Sequence, residues 1–340
     1  MGACRFVKQE VPARLILAGA CLVLLFWAAV PVRAQSPGAF EFRDTLAAQS
    51  TLSIELGRWS DAERATVRLL LKRIGKRAPG LLARALAAGP VSLYRTAEDS
   101  PDHPAAAWAR RRHEASLIVT DDFFRTGFAN GLGVEYRDWL FVHEMAHLAD
   151  PVGTLGRSAD WRAIVGPRIA RITQTLAGDG LSLRDAMFQY RDAPARAQGL
   201  PSVYAAISLH EALAESAAAV FFAREIAAGF TVPDDVAGFV GARLFAPASE
   251  AEARKVRAYR QAALARRNGD LQRAADLLDR VLSEMPGFTM GYYLRGYVRA
   301  AQGDLPGAGA DWRAARARLP ESDARLRAEL QAGLDWIAAQ

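Results

Sequence analysis

Among 340 residues there are five histidines, and two of them, His143 and His147, stand four apart with Glu144 directly after the first. On a helix that spacing puts both imidazoles on one face, where they can grip a single ion. Imidazole suits zinc, and a glutamate beside the first ligand can lean over a water on the metal and take its proton. Such a set performs hydrolysis. The bland alternative is a helix that carries two histidines by chance, and the third ligand decides between them.

Downstream, the stretch SVYAAISLHEALAESAAAVFF carries Glu211 and Glu215 one helical turn apart among small apolar residues. Two carboxylates facing an apolar interior cost several kcal/mol unless they are paired or bound to metal. On a solvated face the same spacing would be mildly repulsive. Glu211 therefore calls for a cation. Asp160 is the other carboxylate that could serve as third ligand. His210 precedes Glu211 and so points about 100° away from its face. His113 with Glu114 lacks a second histidine four residues on, and His103 sits in a Pro-rich loop, so both read as surface residues. Asp150 follows His147 by one turn. It either accepts the free N–H of a ligand imidazole or simply ends the helix before Pro151. Glu215 could accept such an N–H or orient the surroundings of Glu211.

These groups need elements to hold them. DWLFVHEMAHLAD reads as a helix capped by Asp138 and ended by Pro151 and Gly153. SDAERATVRLLLKRIGKRAPG reads as another, opened by a Ser60–Glu63 capping box. VSLYR and SLIVT are the strand candidates, short and β-branched. The expected fold is therefore α+β over residues 35–233, with a linker at 234–250. A repeat follows. Gly269/Gly303, Asp270/Asp304, Leu271/Leu305, Ala274/Ala308, Leu278/Trp312 and Pro286/Pro320 recur at one 34-residue period, the tetratricopeptide signature. Tyr292 and Gly296 open the second unit's first helix, where the first unit has Ala258 and Ala262. Residues 251–340 thus read as an all-α helical repeat domain with a closing helix.

The N-terminus is basic at Arg5, Lys8 and Arg14, then uncharged from Leu15 to Val32, with a small-x-small site before Gln35. Residues 1–34 read as a secretory signal peptide, and the chain as exported, periplasmic or secreted. Uncleaved, the segment would anchor it in a membrane. Both cysteines, Cys4 and Cys21, fall in this leader, which leaves no disulfide, thiolate nucleophile or cysteine zinc ligand downstream. The leader also holds four basic residues and one acidic, so the net charge of +6 drops to about +3 without it. The remaining arginines are scattered, and nucleic-acid binding is not expected.

The pairing of H-E-x-x-H and H-x-x-D with a later Glu-xxx-Glu resembles the gluzincin metallopeptidases. The nearest group contains the anthrax lethal factor catalytic domain and the Mlc titration factor peptidases. The resemblance spans about residues 139–222 and is carried by motifs. Met145 and Ala146 depart from the Gly or Phe frequent inside the first motif. The resemblance implies a zincin-like domain in which His143, His147 and Glu211 hold Zn²⁺ and Glu144 is the general base. It also implies that Tyr204, seven residues before Glu211, assists the oxyanion, that Asp150 matches the H-x-x-D aspartate, and that a sheet edge, expected to be SLIVT, receives the peptide substrate. The repeats would dock substrate or a protein partner. The competing reading is a non-catalytic scaffold or chaperone of the cell envelope that works through its repeats.

Overall fold

The computed structural model describes residues 39–46, 54–96, 107–110, 115–125, 127–227, 229–320 and 323–340. The expected leader lies outside them, as do His103, His113 and Glu114. The described chain is α+β with helix predominating. In order it runs β1 (Phe40–Arg43), α1 (Asp61–Arg77), α2 (Pro79–Leu86), β2 (Val91–Arg95), β3 (Ala107–Arg110), β4 (Ser116–Val119), α3 (Tyr136–Ala149), α4 (Ala159–Gly178), α5 (Leu183–Phe188), α6 (Ala193–Ala197), α7 (Leu209–Phe221) and α8 (Asp234–Phe239). Five longer helices follow: α9 (Glu250–Arg267), α10 (Leu271–Glu284), α11 (Thr289–Ala301), α12 (Leu305–Arg318) and α13 (Ala324–Ala338).

The sheet has the order β1-β2-β4-β3, with β1, β2 and β4 parallel and β3 antiparallel to β4. Every residue of β4 is buried, as a parallel strand covered on both faces requires. The expectation that SLIVT forms the edge is therefore corrected. β4 has neighbours on both sides, and the edges are β1 and, beside β4, β3, whose AWAR sequence did not suggest a strand.

The metal-motif helix α3 begins earlier than its sequence suggests. Its N-cap is Glu135, and Asp138 lies inside the first turn. Arg73 of α1 (2.8 Å) and Arg137 (2.9 Å) hold the Asp138 carboxylate, so it braces α3 against α1 instead of capping it. From Trp139 to Ala149 every residue of α3 is buried, packed on α7, α2 and β3. Helix α7 supplies the facing surface through Ala212, Ala214, Ala217, Ala218 and Ala219, all buried. Small side chains let two helix backbones approach closely, which is how side chains from both can meet at one point. Ser208 caps α7 by accepting from the Glu211 N–H, and Trp161 of α4 donates to the Leu209 carbonyl at 2.8 Å. The start of α7 is thereby pinned. The stretch expected as a linker contributes Val236, Phe239, Val240 and Leu244 to this same core.

Helices α9 to α13 build a second core. Gly269 and Gly303 adopt the same left-handed φ, +81° and +83°. Asp270 and Asp304, each next in line, cap α10 and α12 by accepting from the Arg273 and Gly307 N–H groups. Both helices are 14 residues long. The 34-residue sequence period is thus also a conformational period. Trp312 is wedged against Gly296 of α11 and Gly333 of α13. Val152, in the turn after α3, belongs to the second core, and Arg157 pairs with Asp323 at 2.7 Å beside it.

At Gly296 a Cβ would overlap the Trp312 indole. Gly296→Ala is expected to lower stability by about 1–3 kcal/mol, the usual cost of overpacking. Denaturant unfolding measures this, and an unchanged midpoint would show slack at that crossing.

Candidate metal centre

Helix α3 presents His143 and His147 on one face with ring centroids 4.8 Å apart. Their Nε2 atoms approach to 3.1 Å. Glu211, from the first turn of α7, places Oε2 at 3.1 Å from His143 Nε2 and 3.2 Å from His147 Nε2. Among the described residues these three form the one cluster of ligand atoms close enough to share an ion. A four-coordinate zinc with bonds of about 2.0–2.1 Å holds neighbouring ligand atoms about 3.3–3.4 Å apart. The donor set fits that ion in type and in spacing.

The tautomer of His143 is set from behind. Its Nδ1 lies 3.0 Å from Glu215 Oε1, so an Nδ1–H donated there leaves Nε2 with its lone pair toward the ligand point. Glu215 is itself fixed by Trp139 Nε1–H at 3.0 Å and Ser202 Oγ–H at 2.7 Å. Of the two roles open to Glu215, its contacts match the support of the His143 imidazole. Asp150 takes the helix-end role: its carboxylate accepts the backbone N–H groups of Leu155 (3.1 Å) and Gly156 (2.8 Å) and folds the turn after α3.

Glu144 bridges the ligand point and the sheet. Its Oε2 accepts the Ala109 N–H of edge strand β3 at 2.6 Å, and its Oε1 lies 3.9 Å from His143 Nε2. Tyr204, on a 3-10 turn at Val203–Ala206, has its ring 5.8 Å from that of His143. The ring is 39% exposed while His143 is 3% exposed, so the centre opens on the Tyr204 side. Two other candidates fall elsewhere. Asp160 is exposed in the first turn of α4. The His210 ring packs against Gly153 and Gly156, where a Cβ would collide with it.

The titration behaviour follows from the contacts. Burial works to raise Glu211, but the two imidazoles outweigh it and hold the carboxyl far below its usual range. Glu215 is lowered too, with burial again opposed by the bond to His143 and then by Ser202 and Trp139. Burial alone would lower His143, yet bonds to Glu211 and Glu215 raise it well above its ordinary value. Burial, reinforced by the charges of Glu211, Glu144 and Glu215, raises Tyr204. It remains a protonated donor at any working pH.

Three contributors lay outside the sequence reading. Trp139, one turn before His143, and Ser202 both hold Glu215. Trp139 could have been found from its helical offset. The Ala109 N–H is a backbone donor that any residue type supplies, so no side chain announces it.

In the metal-free chain, Glu211 and Glu215 have depressed values, so their stabilisation is complete above the ordinary 4.5 and lost as pH falls below it. His143 has a raised value, so its contribution is complete below 6.5 and lost as pH rises through that raised value. The chelated protein is therefore expected to be most stable between these limits. Glu215→Gln should flatten the acid limb of its stability curve, as read from denaturant midpoints across pH. An acid limb as steep as that of the wild type would remove Glu215 from this role. Compared with family models, curated proteins and solved structures, the chain matches none, so the chemistry of the centre stands on its own geometry.

Proposed function

We propose that the chain is an exported zinc metallopeptidase, a zincin-like α+β domain followed by tetratricopeptide-like repeats that dock substrate or a partner. One observation carries the reading. Two imidazole nitrogens and a carboxylate oxygen converge within 3.2 Å of one another while a second glutamate flanks the same point. A structural ion pair would need neither an imidazole-supporting carboxylate behind His143 nor a further buried carboxylate beside the same point.

His143, His147 and Glu211 would hold the ion, which when bound supplies Lewis acidity to a carbonyl and acidity to water. Glu144 accepts the proton of the attacking water at its carboxylate and returns it to the leaving amine. The Ala109 N–H keeps that carboxylate turned toward the sheet edge. Tyr204, kept protonated, donates to the oxygen that gains charge at the scissile carbonyl. Glu215 fixes the His143 ring so that its lone pair does not wander. Strand β3, at the end of the sheet among the described residues, would offer a peptide main chain an edge to pair with.

The reading has three direct consequences. Elemental analysis of the purified chain should find about one zinc, and Glu211→Ala should lose most of it. No zinc in the wild type, or unchanged content in Glu211→Ala, would refute the ligand set. Glu144→Gln should keep the metal yet abolish peptide hydrolysis, because an amide cannot accept the proton; activity within about tenfold of wild type would exclude it as the base. Tyr204→Phe should lower kcat by about 10²–10³ with metal content intact, whereas a packing tyrosine would leave turnover nearly unchanged.

A further inference from the structure

Helices α4, α6, α9 and α11 end in the same backbone stop. One residue takes a left-handed φ, and the N–H after it reaches back five residues to a helix carbonyl. Gly180, Gly199, Gly269 and Gly303 fill the left-handed place, and the N–H groups of Leu181, Leu200, Asp270 and Asp304 reach back at 2.8 to 3.0 Å. Helix α5 stops in the same way, with the Arg191 N–H on the Ala186 carbonyl at 2.9 Å, yet its left-handed residue is Tyr190, at φ +53°. Among the described residues it is the one non-glycine at positive φ. A Cβ crowds the backbone in that conformation, and glycine avoids the cost. Packing does not offset it, because Tyr190 is 87% exposed. A bulky residue that strains its own turn and packs on little points to a role outside the fold.

Its surroundings give that role a place. Helix α5 packs on the turn that carries Tyr204. Just past Tyr190, the Asp192 carboxylate accepts the Val203 N–H of that turn at 2.9 Å. Tyr136, the first residue of α3, lies two turns before His143 on the same helix face. Burial raises its phenol, and Glu215, Glu144 and Tyr190 add to the rise in turn, so all three lie close enough to act on it. Glu144 and Glu215 act likewise on Tyr204. The aromatic rim is therefore continuous with the open side of the metal centre.

The chemistry of the rim says what it receives. Tyr136 is 44% exposed, and Phe128, whose carbonyl accepts the Tyr136 N–H at 2.6 Å, is exposed beside it. Phe188, two residues before Tyr190, is exposed as well. Open aromatic rings grouped in this way mark a surface for apolar contact. The carboxylates behind Tyr136 disfavour an acidic visitor, and Arg184, 5.7 Å over the Phe188 ring, disfavours a basic one.

We infer that Tyr136 and Tyr190 grip a large apolar side chain, aromatic or long aliphatic, of the peptide substrate and so select which peptides reach the centre. The inference rests on the peptidase reading above and adds the substrate class to it.

The probe is a soluble peptide of serine and alanine with one central phenylalanine, paired with a twin that carries alanine there. Binding is read by calorimetry on the full chain with Glu144→Gln, which is expected not to cut, and hydrolysis on the wild type. The phenylalanine peptide should bind about tenfold more tightly, as burial of most of one ring gives, and its kcat/KM should be higher by a similar factor. Adding Tyr190→Gly should leave Tm equal or raised and metal content unchanged, yet bring the two peptides within about threefold of each other. Tyr190→Phe should keep the preference, since the ring makes the grip. Equal binding of the two peptides, or a preference that survives Tyr190→Gly, would overturn the assignment. A Tm lowered by Tyr190→Gly would overturn it too, by making the residue structural. So would a dimer in light scattering that Tyr190→Gly dissolves, which would assign the rim to a second copy of the chain. The peptidase reading fails separately. A phenylalanine peptide bound selectively and never cut refutes hydrolysis and leaves the grip standing, whereas both peptides cut equally well refute the grip alone.

Discussion

The cost of keeping ionisable groups between two apolar helices governs the first core. Helix α3 buries His143, Glu144 and His147 in one turn and a half, and α7 buries Glu215 opposite them. Each would be prohibitive alone. The surrounding structure is arranged so that none stands alone. Glu215 answers His143, Trp139 and Ser202 answer Glu215, Glu211 answers both imidazoles, and the sheet edge answers Glu144. Removing any one partner strands a buried charge, which costs more than the interaction itself contributes.

That requirement explains features which otherwise look incidental. The alanine-rich face of α7 lets Glu211 reach the histidines. The Ser208 cap and the Trp161 bond fix where α7 starts, and hence where Glu211 sits. The edge strand β3 turns a backbone N–H toward α3, which its antiparallel neighbour β4 could not do while paired on both sides. Arg73 and Asp138 then lock α1 to the start of the metal-motif helix.

Much of the centre was legible in the sequence because its signals are local. A four-residue histidine spacing and two glutamates on an alanine-rich helix are visible without knowing the fold. So was the 34-residue period, whose glycines share a backbone conformation that few other residues adopt. What could not be read is what depends on distant pairing. Strands of four residues such as FEFR and AWAR carry too little pattern to announce themselves, so the edge of the sheet was misplaced. Asp138 had the right residue type for a cap, but Arg73, 65 residues away, decided its role. Asp150 was open between two roles for the same reason, and the tight turn around Gly153 and Gly156 settled it.

The turn after α3 belongs to both cores. Val152, five residues beyond His147, is buried in the second core, and Arg157 is tied to Asp323 just before α13. Cutting the chain ahead of α9 would bare an apolar side chain and strand a guanidinium on the segment that ends the histidine helix. The two cores are therefore coupled through this turn. A fragment that kept only the histidine-bearing half would lose the two contacts that hold the end of its most exacting helix.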